Sequence, residues 1–308
     1  MHVHAPTRAH RSAGIGPCYA GAVRTVVVGS GSEGNATIFE SGGTRVLVDA
    51  GLSVRRVRRR YEEATGEALG RVDAIVLTHH HGDHVAHAGR AARAFDAPVY
   101  LTPATARQVT LPEETRTRPY ARGGRVRIGA LEVHAQPVPH DAPQVALVLR
   151  DAADCVGLVT DLGETPRALA RHLRDCRTLL LEANHCRELL PWAPYPAFIR
   201  ERIGGPRGHL ANAQCATFLG ALKAAPLDRV VLMHLSKKTN DPRRARRASA
   251  ASPSVGCLGW QARPRAPEPP PSPSSTGRRA QLPYRRAGCR RLPQSQHPCR
   301  RQHRPPTR

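Results

Sequence analysis

Thr78-His79-His80-His81-Gly82-Asp83-His84 decides the reading of this chain. The stretch follows residues 74–77, a short apolar run with β-branched Ile75 and Val76 that predicts a buried strand. His79, His81, Asp83 and His84 then fall within six residues, and imidazole and carboxylate are ligands that suit zinc, iron or manganese. His79 and His81, two apart in an extended loop, can point the same way and share one ion. Asp83 and His84 run into a helix start and can serve a second ion. One loop cannot close two coordination spheres. Three more residues of the right type stand where other predicted strands break: His140 in Val-Pro-His-Asp, Asp161 after Gly-Leu-Val-Thr, and His234 after Val-Val-Leu-Met.

Elsewhere in the chain strands are predicted at residues 24–28, 36–40, 44–48, 98–101, 144–149, 155–159, 178–181 and 229–233, with paired strands over 126–138. Helices are predicted at 53–64, with Ser53 as N-cap, at 84–95 and at 212–223. Many strands with interspersed helices predict an α/β sandwich of mixed sheets flanked by helices. Apolar residues make up 40% of the 308 and aromatics only 4%, so the core has to be built from Val, Leu, Ile and Ala. No apolar run approaches the roughly 20 residues of a membrane span, and no signal core is visible, so the chain reads as soluble and cytoplasmic. The eight Cys include no C-x-x-C pair, which argues against a disulfide framework.

The net charge of +23 divides unevenly. Residues 243–308 hold 16 Arg, no Lys and one acid, Glu268, and so carry +15. The other 242 residues carry +8, a balance that suits a polyanionic substrate. Three parts are therefore expected: a disordered leader over 1–22, a catalytic domain over 23–242, and an Arg/Pro-rich tail over 243–308. The tail reads either as an arm that binds nucleic acid or as a frame-shifted C-terminus.

His79-His80-His81-Gly82-Asp83-His84 resembles the H-x-H-x-D-H signature of the metallo-β-lactamase superfamily. The resemblance implies an αββα four-layer sandwich with two divalent metal ions, zinc or manganese, held between the sheets. By that resemblance His79, His81 and His140 hold one ion, Asp83, His84 and His234 hold the other, Asp161 bridges them, and Asp49 supports the ligands. Two such ions lower the pKa of a shared water towards neutrality, and Asp83 would orient that nucleophile.

Four more segments resemble the WalJ/YycJ family over about residues 23–242: Gly29 to Asn35, Leu181-Glu182-Ala183-Asn184-His185, Gly208-His209-Leu210-Ala211-Asn212, and His234-Leu235-Ser236 with Asn240. This implies a 5′-to-3′ exonuclease acting on DNA. It also implies that Glu182 holds His209 as an imidazolium that protonates the leaving oxygen. Ser30, Ser32, Asn35, Asn184, His185, Lys237 and Asn240 are the candidate substrate contacts, with Lys238 and Arg207 as further phosphate contacts. Backbone N–H groups of the Gly/Ser loop are a candidate phosphate cradle. Cys186, Ala211 and His87 depart from the family pattern, and the helix and strand that usually close the domain after Pro242 are not expected here. The competing readings are a small-molecule hydrolase of the same fold, for a cyclic phosphodiester or thioester, and a non-catalytic nucleic-acid-binding protein.

Overall fold

The structure, a computed structural model, describes residues 23–222 and 224–250. β1 (Arg24–Gly29), β2 (Ala36–Ser41), β3 (Thr44–Val48), β4 (Ala74–Val76), β5 (Val99–Leu101) and β6 (Thr117–Pro119) form one sheet in that order. The first three strands run antiparallel and the rest join in parallel. β7 (Arg125–Ile128), β8 (Leu131–Val138), β9 (Gln144–Arg150), β10 (Cys155–Val159), β11 (Thr178–Glu182) and β12 (Arg229–Met233) form the second sheet. There β7 to β10 are antiparallel, and β10, β11 and β12 are parallel.

Alternation along the strands explains the layers. In β3, Val46 and Val48, with Phe39 of β2, face the other sheet and meet Val133, Leu147 and Leu158, while Leu47 faces outward. The outer face of the first sheet, with Ile38, Leu47 and Ile75, is covered by Val57 and Tyr61 of α1 (Val54–Thr65) and by Phe95, which ends α3 (Ala88–Phe95). Val148, Leu179 and Leu181 of the second sheet are covered by Leu169 of α5 (Arg167–His172) and by Phe218 and Leu219 of α7 (Asn212–Ala221). Each such apolar side chain contributes about 1.5–3 kcal/mol by leaving water. The result is the expected αββα sandwich.

The predicted strands all form, with ends within two residues of the expected positions. Ser53 sits at the N-cap of α1 but makes no side-chain cap bond. The helix expected over 84–95 is broken into α2 (Gly82–Val85) and α3, because neighbouring loops take the bonds a continuous helix would use. Asp83 O accepts Asn35 N at 2.7 Å, and His87 N donates to Ala50 O at 2.9 Å. β6, α5, the single-turn α4 (Pro103–Ala106) and α6 (Ala197–Gly204) carry no clear apolar period and were not expected; every residue of β6 is exposed.

Helical structure runs past Pro242. α8 (Pro242–Ser249) forms within the segment read as tail. Asp241 caps it by accepting from Arg243 N at 2.7 Å and Arg244 N at 3.3 Å, and Pro242 opens it. Ala245 and Ser249, one turn apart, are buried, and Ala245 joins the cluster that holds Phe218. The expected leader over 1–22 and the tail from 251 onward lie outside the described residues.

Gly51 shows how tightly the loops around the His-rich stretch are laced. Its N–H donates to Asn35 O at 3.0 Å, and Ala50 N donates to His84 O at 2.7 Å. A Cβ at Gly51 would lie 1.7 Å from the Asp83 carbonyl oxygen. We expect Gly51→Ala to cost about 3 kcal/mol through overpacking. That lowers Tm by roughly 6–12 °C in a domain of this size and reduces bound metal with it. A thermal melt and metal analysis check this; an unchanged Tm would mean that the loops part at no cost.

Candidate metal centre

The histidines and acids converge at one end of the sandwich, where β3, β4, β8, β10, β11 and β12 stop. Asp49, Asp161 and His234 each adopt a left-handed backbone, with φ of 60°, 58° and 54°. Such conformations cost non-glycine residues about 1–2 kcal/mol each. The surroundings hold them: Asp49 N donates to Val76 O at 2.9 Å, and His234 N donates to Ser30 Oγ at 2.7 Å.

Donor atoms gather into groups in which all lie within 4.8 Å of one another: His79, His81 and His140; His79, His84 and Asp161; Asp83, His84 and His234; and Asp161, Glu182, His209 and His234. His81 Nδ1 lies 3.3 Å from His140 Nε2. Asp161 stands between the outer groups, with Oδ2 3.2 Å from His84 Nε2 and Oδ1 3.4 Å from His234 Nε2. Asp83 Oδ2 is 3.6 Å from His84 Nε2 and 3.7 Å from His234 Nε2. All seven residues of the expected ligand set are thus brought together. His80 and His87 belong to none of these groups.

Outer partners fix the rings. His84 Nδ1 donates to Asp49 Oδ2 at 2.8 Å, and Asp49 also accepts from Thr78 N and Oγ1 at 2.9 and 3.1 Å. His140 Nδ1 donates to Gly208 O at 3.1 Å, and His234 Nδ1 to Glu182 Oε1 at 2.8 Å. Each Nε2 is thereby turned towards the cluster, as metal-binding imidazoles require. His79 Nε2, His234 Nε2 and Asp161 Oδ2 are buried and accept or donate no hydrogen bond. Three orphaned donor atoms on one cluster of imidazoles and carboxylates fit a divalent cation.

Electrostatics agree with that fit. Burial, with the neighbouring His84, pushes the pKa of His79 well below the usual range, and burial likewise lowers those of His81 and His140. These three are neutral and offer lone pairs. Burial also opposes charge on His84, but the Asp49 and Asp161 carboxylates outweigh it and lift its pKa to about 10. For His234 burial is likewise outweighed, by Asp161, Asp83 and Glu182. A proton on these two rings does what a cation would do, so protons and metal compete for the site.

Glu182 is fully buried and is the hub beside the cluster. Its Oε1 accepts from His209 Nδ1 at 3.0 Å and His234 Nδ1 at 2.8 Å, and its Oε2 accepts from Leu162 N and Leu210 N at 3.2 and 3.0 Å. Burial would raise its pKa, but the two imidazoles win and hold it at about 2. The pKa of His209 is raised in turn: burial lowers it, and Glu182 more than compensates.

The substrate candidates fare differently. Asn35 Oδ1 accepts Gly31 N at 2.8 Å, and its Nδ2 lies 3.2 Å from Asp83 Oδ2 and 2.9 Å from His84 Nε2, so it braces the site. Gly31 N, Gly34 N and Asn35 N are all engaged within the protein, which removes them from the expected phosphate cradle. Ser30 supports His234, while Ser32 is exposed. Asn184 Nδ2 donates to His234 O at 2.9 Å. The Asn240 amide is taken up by Ala183 O, Asn184 O and Asn212, so it ties loops together. His185 is buried with Nδ1 unpartnered, and burial pushes its pKa down to about 4. Lys237 is exposed and pairs with Glu33 at 2.5 Å. Arg207 Nε donates to His140 O at 2.9 Å. Asp141 was missed, although it adjoins His140: its Oδ1 lies 3.1 Å from His140 Nε2 and 3.4 Å from His81 Nε2, and Arg202 Nε holds its other oxygen at 2.5 Å.

A four-layer αββα fold whose strand ends carry this constellation is a hydrolase of the metallo-β-lactamase fold, and such a fold implies divalent metal binding. The chain belongs to the β-lactamase superfamily domain family, whose pattern matches residues 44–235. Within it, the chain is 28% identical over 222 residues to the exodeoxyribonuclease WalJ of Streptococcus pneumoniae, covering 70% of this chain and 82% of that protein. It is also 28% identical over 220 residues to the exodeoxyribonuclease YycJ of Bacillus anthracis, covering 70% and 83%. The crystal structure of the metallo-β-lactamase fold protein YhfI from Bacillus subtilis shares the fold, with a TM-score of 0.61 at 18% identity over 76% of this chain and 96% of that one. Among the described residues no helix is long and apolar enough to cross a membrane.

Proposed function

We propose that this protein is a phosphodiesterase that removes nucleotides from DNA ends, from the 5′ end as the sequence resemblance implies, with two divalent ions at the site. The observation that carries the reading is the Glu182–His209 pair beside the metal cluster. Zinc or manganese, bound at His79, His81, His140, Asp161, Asp83, His84 and His234, would supply an acidified water and neutralise charge on the phosphate. DNA as substrate suits a cytoplasmic enzyme and accords with the names of the two bacterial relatives.

The chain's own residues do the rest. Asp83, its pKa lowered because His234 and His84 outweigh the effect of burial, stays ionised and can orient a water. His209 lies 3.6 Å from Asp161 Oδ1 and keeps its proton on account of Glu182, so it can protonate the departing sugar oxygen. A thioester leaves as a weakly basic thiolate and has less need of such an acid. The pH sign follows from the raised pKa of His209. Its imidazolium, and the stability that the pair contributes, are fully present below about pH 6.5 and are lost as pH rises through the folded pKa.

End-labelled duplex DNA with Mn²⁺ or Zn²⁺, against a chelator control, tests the reading. Release of nucleotide that the chelator abolishes supports it, and labels on the two ends report direction. Folded, metal-loaded protein that releases nothing overturns it. We expect His209→Ala to retain its metal, slow turnover by about 10²–10⁴-fold, and lose the alkaline limb of the pH profile. Metal loss in that variant would instead make His209 a ligand.

A further inference from the structure

Residues 186–208 leave the site at Asn184-His185 and return at Gly208-His209, so both ends of this excursion are anchored at the cluster. Cys186 N donates to Thr239 O at 2.8 Å at one end, and Gly208 O accepts from His140 at the other. Between them the chain does something costly. Trp192 and Phe198, from the aromatics that make up only 4% of the sequence, are 86% and 67% exposed. α6, which carries Phe198, buries none of its residues. Trp192 is not loose: it closes a short 3₁₀ turn between buried Leu190 and buried Ala193, and its N–H donates to Leu189 O at 3.1 Å.

The excursion carries a positive balance. Residues 186–208 hold four Arg and two Glu, with Glu188 paired to Arg244 at 2.8 Å and Arg202 paired to Asp141. The Lys238 ammonium lies 4.8 Å from the Tyr195 ring centre, which ties the excursion to the loop that follows His234. Held aromatic faces interleaved with Arg and Lys are the chemistry that binds single strands: bases stack on the rings and phosphates meet the cations. A protein partner would favour a continuous apolar patch, whereas the charged residues Arg200, Glu201 and Arg202 follow Phe198 on α6.

We infer that Trp192 and Phe198 form a stacking platform for the unpaired bases of a DNA end, alongside the metal centre. The inference rests on the proposed phosphodiesterase reading and adds the form in which the substrate is held: a frayed or single-stranded end rather than an intact duplex.

Binding, not turnover, tests it. Metal-loaded full-length protein is titrated into a fluorescein-labelled oligothymidylate with phosphorothioate linkages, which slow hydrolysis, and into an abasic strand of the same length and linkage. Trp192→Ala is expected to weaken the oligothymidylate about ten-fold, which is about 1.4 kcal/mol, and to leave the abasic strand unchanged. Trp192→Phe should restore most of the affinity, and Phe198→Ala should show a smaller loss. The dependence on salt should be the same in all variants, because phosphate contacts are kept. At 86% exposure Trp192 can be removed without a folding defect, which circular dichroism verifies. Equal affinity of wild type and Trp192→Ala for oligothymidylate overturns the platform, as does an equal loss on the abasic strand. A wild-type dimer that Trp192→Ala converts to monomer, with DNA affinity unaltered, assigns the patch to a second copy and also overturns it. Failure of the nuclease reading would appear separately, as absent turnover in a protein whose binding results stand.

Discussion

Asp161→Asn is expected to purify folded, with reduced metal content, and to turn over DNA at least about 10³-fold more slowly than wild type. The carboxylate faces His84 Nε2 at 3.2 Å and His234 Nε2 at 3.4 Å, and its Oδ2 has no hydrogen-bond partner. It therefore belongs both to the donor group with His79 and His84 and to the one with Glu182, His209 and His234. Losing charge stabilisation of several kcal/mol corresponds to three or more decades in rate. Asn is the right replacement because it tolerates the left-handed backbone at φ 58°. The effect then reports charge and not main-chain strain.

The same variant has a second readout in chelator, where only protons can balance the site. Burial opposes ionisation of Asp161, but His234 and His84 hold its pKa well below 3.8. Its contribution to stability is present above that value and is lost as pH falls through the depressed pKa. His84, raised to about 10, contributes below pH 6.5 and loses that contribution as pH rises through about 10. Wild type and Asp161→Asn should thus differ most across neutral pH and converge at both extremes. Denaturant melts against pH measure this, and a difference that grows towards pH 11 would contradict the assignment.

Glu182→Ala should be the most damaging single change to the fold near the site. Four donors lose their acceptor at once: His209 Nδ1, His234 Nδ1, Leu162 N and Leu210 N. An unsatisfied buried donor costs about 1–3 kcal/mol, so a total of about 5 kcal/mol is a conservative expectation. That shifts Tm down by roughly 10–20 °C. Glu182→Gln should rescue only part, since its amide nitrogen must face two donors. The comparison with His209→Ala separates roles. His209→Ala should lose turnover with only a small drop in melting temperature, since one of the four bonds to Glu182 goes, whereas Glu182→Ala should lose both. An unchanged Tm for Glu182→Ala would show that water replaces the carboxylate at no cost.

Strands were legible because they depend on local order. In residues 44–48, alternation alone states which side chains face which layer, and the structure keeps those bounds. The loop 78–84 was legible for another reason: its ligand types are packed into consecutive positions, so no tertiary information is needed to see them. Elements without an apolar period were not legible. β6 is a fully exposed edge strand, and α8 is written in Arg with only Ala245 and Ser249 inward. Its Asp-Pro start was a usable signal that the composition of the following segment obscured.

The sequence by itself determined the sandwich and the residue types available at its strand ends. Only the tertiary structure decided what those residues do to one another. It engaged Gly31 N, Gly34 N and Asn35 N of the Gly/Ser loop within the protein, and it set Asn35 against Asp83 and Ser30 against His234. It placed Asp141 against His81 and His140, and it joined Glu182 to His234 as well as to His209. Ser30 and His234 stand 204 residues apart and Glu182 and His234 stand 52 apart, and no local periodicity encodes such bonds. They also hold Asp49, Asp161 and His234 in a backbone region these residues would avoid alone. The strain is stored where the metal is expected to bind, because only a packed fold can hold it there.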